Sequence, residues 1–123
     1  MASSSSSPSN PLVLQPVTEK LTKNNHALWK AQVRAAIRGA RLQGYLTGAC
    51  KMPAAKVIQK GADGKDEKVP NPALEDWKAV DQQVLGYLLS LVSKDVLTQV
   101  ATSTTAAEAW KTIEDMFASQ TRA

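Results

Sequence analysis

Thr104-Thr105-Ala106-Ala107-Glu108-Ala109-Trp110-Lys111-Thr112-Ile113-Glu114-Asp115-Met116-Phe117 holds a helix start, a helix face and a demand for a partner in one run. The Thr105 hydroxyl can cap the helix. Glu108, three residues on, can reach back to the Thr105 backbone N–H and complete a capping box. Ala106, Trp110, Ile113 and Phe117 follow at i, i+4, i+7 and i+11, one apolar stripe at helical spacing. The pattern predicts a helix from about Ala106 toward Gln120. A helix this short gains little stability alone, so Trp110 and Phe117 need the rest of the chain.

Working backwards, Val96, Leu97, Val100 and Ala101 predict a short helix, with Ser93 as its cap. Asn71-Pro72 opens a longer one: Asn71 suits the N-cap, Pro72 the first turn, and Glu75 and Asp76 the positive helix start. Leu74, Trp77, Val84, Leu88 and Leu91 form its apolar stripe, with Gly86 opposite. Asp81 falls on the apolar arc, where a carboxylate requires a partner, either a helix N-terminus or an arginine. The stretch from Lys51 to Asn71 is expected as a flexible, mixed-charge loop with Val57 and Ile58 as its only candidates for core contact. A first helix is predicted from about His26 to Ala40, capped by Asn25 or Asn24. Leu28, Trp29, Val33, Ile37 and Ala40 form its apolar face. Gly39 weakens the helix end and Gly44 ends the next short turn; Leu42, Tyr45 and Leu46 predict a brief helical return, and Gly48 breaks the pattern. Residues 1–16, with five consecutive serines and three prolines, are expected as a disordered tail. No stretch sustains period-two alternation, so residues 17–123 are expected to form one all-α domain of about four to five helices.

The chain has 123 residues and one cysteine, Cys50, which excludes an intrachain disulfide and a cysteine-rich zinc site. No apolar run approaches the roughly 20 residues that span a bilayer, and no secretory leader is legible. A cytoplasmic location follows as the expectation. Residues 1–60 hold nine Lys/Arg against one acid, whereas residues 73–123 hold four against seven. Lys30, Arg34, Arg38 and Arg41 form a basic stripe beside the first apolar face, a candidate polyanion contact. The plain alternative is a solvated helix face, since no exposed aromatic ladder accompanies the stripe. Trp29, Trp77 and Trp110 each lie within an apolar stripe and are expected as core anchors.

Catalytic chemistry finds no footing. His26 is the single histidine, and neither it nor Cys50 has a partner at the spacing that nucleophilic catalysis needs. No glycine loop of the phosphate-binding or dinucleotide kind is present. Asp63, Asp66 and Glu67 lack the alternating register of a calcium loop. The expectation is a non-enzyme without cofactor, metal or small-molecule substrate.

Lys20-Leu21-Thr22, Asn25-His26-Ala27-Leu28-Trp29, Leu46-Thr47-Gly48, Asn71-Pro72-Ala73 with Trp77, Asp81-Gln82, Leu88-Leu89-Ser90 and Thr105-Ala106-Ala107-Glu108-Ala109-Trp110 occur in that order. Together they resemble the N-terminal Gag region of plant copia-type LTR retrotransposons, over roughly Val17 to Ala123. The resemblance implies a capsid-like helical domain that self-associates with other Gag chains toward virus-like particles packaging RNA. It marks Asn25, Trp29, Trp77, Asp81 and Trp110 as scaffold signature positions. His26 departs from it, standing where an aromatic residue is usual. Many members carry further helices and a cysteine-histidine zinc knuckle for RNA, so the chain is expected to be a truncated Gag, a relic or a repurposed short protein. RNA contact without the knuckle is expected to be weak. Two other readings stay open: a basic helix face binding RNA or another polyanion, and a domesticated protein-interaction module.

Overall fold

The computed structural model describes residues 17–118. The expected serine-rich tail and the stretch toward Gln120 lie outside the described residues. The elements are α1 (His26–Gly39), α2 (Gln43–Thr47), β1 (Lys56–Lys60), β2 (Asp66–Pro70), α3 (Pro72–Ser90), α4 (Lys94–Val100) and α5 (Ala106–Met116). The architecture is therefore mostly helical but carries a small antiparallel sheet, which corrects the all-α expectation. Lys51 to Asn71 is not a featureless loop. Val57 pairs with Val69, Gln59 with Glu67 and Lys60 with Asp66 across a hairpin. Local hydrogen bonds outweigh the missing hydrophobic signal there: Gly61 N–H donates to the Lys65 carbonyl at 2.8 Å, and Gly64 takes the positive φ of 79° that closes the turn. Val57 and Ile58 do not reach the core; both are exposed.

The core gathers Leu21, Trp29, Val33, Ile37, Leu46, Val84, Leu88, Val96, Val100, Ala109 and Ile113. Three of the five helices, α2, α3 and α5, start or stop as their local chemistry requires. The Asn71 side chain accepts the Ala73 N–H at 3.1 Å, with Pro72 in the first turn of α3. Gly48, at φ 84°, ends α2 in the left-handed conformation. Gly44 sits inside α2 rather than at the end of a turn preceding it. A Cβ on Gly44 would lie 3.0 Å from the Cys50 Cβ, so the close return of the chain there favours glycine. Ser93 precedes α4 but makes no side-chain cap; its N–H instead donates to the Leu21 carbonyl at 2.9 Å.

The start of α1 differs from expectation. Asn25 occupies the N-cap without a capping hydrogen bond. Its side chain faces backwards, accepting the Thr22 N–H at 2.7 Å and donating to the Lys20 carbonyl at 2.8 Å. That turn aims Leu21 at the junction of α3 and α4, where the Leu21 N–H donates to the Leu91 carbonyl at 2.8 Å. Trp29, on the first turn of α1, donates its indole N–H to the same carbonyl at 2.9 Å. One helix-terminal carbonyl with two lone pairs is thus satisfied by two groups from the N-terminal segment. Leu28 corrects another expectation: it is 59 % exposed, and His26 and Ala36 take its place on the buried face.

Candidate functional site

The basic face of α1 is the site that sequence chemistry nominates, and packing rearranges it. Lys30, Arg34 and Arg38 do share one side of α1, spaced by one turn each. There they border a groove of about 260 Å³ that Gln43, Leu46 and Thr47 of α2 and Trp110 of α5 complete. Arg41 does not join them: it lies past the helix end at φ 61° and does not line the groove. Nor is Lys30 a free cation. It forms an ion pair with Glu114 of α5, whose other carboxylate oxygen lies 3.0 Å from His26 Nε2. Among the described residues neither Arg34 nor Arg38 forms an ion pair, and both side chains are exposed. The available positive charge of the groove therefore rests on these two guanidiniums, at the wet edge of an apolar floor made by Leu46 and the half-buried Trp110. The arrangement suits an oxyanion such as a carboxylate or phosphate, two of whose oxygens guanidinium can grip through parallel hydrogen bonds.

His26 is only 2 % exposed, and its ring stacks on Phe117 with centroids 4.7 Å apart and planes 5° from parallel. It thus fills, with an imidazole, the packing role of an aromatic residue, while Nε2 ties α1 to Glu114. Nδ1 is buried without a partner among the described residues. Sequence reading missed this His26–Glu114–Lys30 cluster because Glu114 is 88 residues away and shares no local pattern with His26. Its position one turn before Phe117 was the available signal, since Phe117 had to meet another element.

Asp81 finds a helix N-terminus. The carboxylate, 1 % exposed, accepts the Ala106 N–H of α5 at 3.1 Å and the Gln82 side-chain amide at 3.1 Å. The Gln82 amide also donates to the Thr104 carbonyl at 3.0 Å. Thr105 caps as expected, accepting the Glu108 N–H at 3.2 Å. Glu108 reaches back one residue further than a capping box requires, to the Thr104 N–H at 2.7 Å. The opening motif is therefore a joint between α3 and α5, held by a charge at the positive helix end.

The tryptophans divide by position. Trp29 is fully buried and stacks on Trp110 at 5.9 Å. Trp77 is half-buried, donates its indole N–H to the Cys50 carbonyl at 3.0 Å and lies 5.6 Å from the Tyr45 ring. Burial, reinforced by the neighbouring Cys50 thiol and the Asp81 charge, pushes the Tyr45 phenol up to about 12. Among the described residues no group of three His, Cys, Asp or Glu side chains could hold a metal, and no helix is long and apolar enough to cross a membrane.

The family model for the gag polypeptide of LTR copia-type elements matches residues 33–123. The chain belongs to the copia-type Gag family. This copia-type Gag chain is 34 % identical over 99 residues to the retrovirus-related Pol polyprotein from transposon RE1 of Arabidopsis thaliana, covering 80 % of the chain. It is 35 % identical over 101 residues to the corresponding polyprotein from transposon RE2 of the same plant, again covering 80 %. The matches span 6 % of the length of each polyprotein. No solved structure matches significantly. The matched family is a structural Gag one, although both relatives bear the name of a polyprotein that includes enzymes.

Proposed function

We propose that this Gag domain acts by self-association with other Gag chains, building toward a virus-like particle in the cytoplasm. The family membership carries this reading. The physical route is a set of weak head-to-tail contacts that close into a shell. Outer α1 offers a suitable surface, with Leu28 exposed near Ala31 and Ala35 and bordered by Arg34 and Arg38. Static light scattering across concentration tests it. Growth in mass with concentration, lost in Leu28→Asp, supports assembly; a strictly monomeric species at high concentration overturns it for this chain.

A second reading assigns the Arg34–Arg38 groove to RNA or another polyanion. It is favoured by two guanidiniums that have no carboxylate partner among the described residues, beside an indole that can stack. Phosphate contact of this kind weakens steeply with salt. Titrating a single-stranded RNA against salt, with Arg34→Glu and Arg38→Glu as variants, checks it. Binding that ignores both salt and the variants removes the groove from RNA recognition. A role as a domesticated protein-interaction module uses the same surfaces and predicts a stable monomer with neither property.

A further inference from the structure

The β1–β2 hairpin is built like a sheet that lacks a strand. Two strands alone are marginal in water, yet every residue of β1 is exposed and the hairpin does not rest on the core. Its ladder has a definite sense. The Asn71 N–H donates to the Ala55 carbonyl at 3.0 Å and the Gly61 N–H to the Lys65 carbonyl at 2.8 Å. In an antiparallel ladder these hydrogen-bonded pairs recur every second residue, which places Val57 and Gln59 in the inward-bonding positions. The backbone groups of Lys56, Ile58 and Lys60 therefore point away from β2. Among the described residues no group takes those bonds. The outer edge of β2 is poorer, because Pro70 falls in the outward register and has no N–H to give.

Side chains add selectivity to this edge. Lys56, Ile58 and Lys60 alternate onto one face of β1, with Ile58 67 % exposed between the two cations. Lys60 holds a solvent-exposed pair with Asp66 at 2.8 Å, and Lys56 stands opposite Pro70 without an ion pair among the described residues. A second β1 strand added antiparallel about Ile58 would set Lys56 against Lys60, and like charges directly opposite are destabilising. An acidic strand meets the reverse situation. We infer that the outer edge of β1 accepts an extended peptide from another protein, carrying the pattern acid–any–apolar–any–acid. The two acids oppose Lys60 and Lys56, and the apolar residue covers Ile58. The chain itself contains no such pattern: its only carboxylates four apart with nothing helical between them, Asp63 and Glu67, enclose Lys65. No segment of these 123 residues supplies the occupant, and recognition is by strand addition with lysines excluding self-pairing about Ile58.

Fluorescence anisotropy with labelled heptapeptides tests this on the whole chain. The probe is Val-Asp-Thr-Val-Thr-Asp-Val; the controls are the same peptide with both Asp replaced by Lys, and with its central Val N-methylated. The acidic peptide is expected to bind about tenfold tighter than the lysine peptide, and N-methylation is expected to abolish binding. Ile58→Pro removes the central edge donor without touching the bonds to β2 and is expected to abolish binding. Should that variant misfold by circular dichroism, the pair Lys56→Glu with Lys60→Glu is expected to reverse the peptide preference. Equal binding of both peptides, or binding indifferent to N-methylation, overturns strand addition. Concentration-dependent dimerisation abolished by Ile58→Pro overturns the choice of occupant and assigns the edge to a second copy.

Discussion

The N-terminal segment and the hairpin meet the rest of the protein in opposite ways. Lys20 to Trp29 is short, yet it is tied at several points: Asn25 holds two backbone groups, and Leu21 and Trp29 share the Leu91 carbonyl. The hairpin from Lys56 to Pro70 is longer, but its bonds close on itself and its apolar side chains face water. The first region ties the fold through contacts distant in sequence; the second closes its bonds within itself and leaves its outer edge open. Long-range packing and an open strand edge thus lie in separate parts of a small chain.

Substitutions should separate the two regions cleanly. Trp29→Ala removes a fully buried ring and an indole donor, and an expected loss of about 3–5 kcal/mol is read by urea denaturation. An intact far-ultraviolet spectrum with unchanged midpoint would show that the N-terminal tie is dispensable. Asp81→Ala leaves the Ala106 N–H buried and unpaired, with an expected loss of about 1–3 kcal/mol in the same assay. Asp81→Asn should keep the acceptor and recover part of that loss.

Tyr45 gives a pH test of the α2–α3 contact. Burial pushes its folded phenol up to about 12, above the ordinary value of 10, so the folded state holds this proton more tightly. The associated stability is complete below pH 10 and is lost as pH rises through 12. Thermal melts of the wild type should fall over that window more steeply than those of Tyr45→Phe. Parallel curves would remove Tyr45 from the alkaline response. Ile58→Thr, on the exposed hairpin, should change stability by no more than about 0.5 kcal/mol. A larger effect would mean that the hairpin supports the core after all.

Helix boundaries were legible because their signals are local. Asn71-Pro72, Thr105 with Glu108, and the stripes of α3 and α5 each need only neighbours within one or two turns. The hairpin was not legible, since its strands bury neither face and so lack the alternation by which strands are recognised. The basic stripe was half legible. Spacing put Lys30, Arg34 and Arg38 on one helix face, but only packing showed that Glu114 holds Lys30 and that the chain leaves the helix before Arg41.

By itself, then, the sequence determined where four of the helices begin, which faces they bury and which family the chain belongs to. Those properties depend on backbone capping and periodicity, which act within a few residues. Tertiary structure alone decided that Leu28 faces water, that Asp81 serves Ala106 and that His26 meets Glu114. These pairings span 25 and 88 residues. Helix orientation sets them, and orientation follows from how the whole core closes around Trp29.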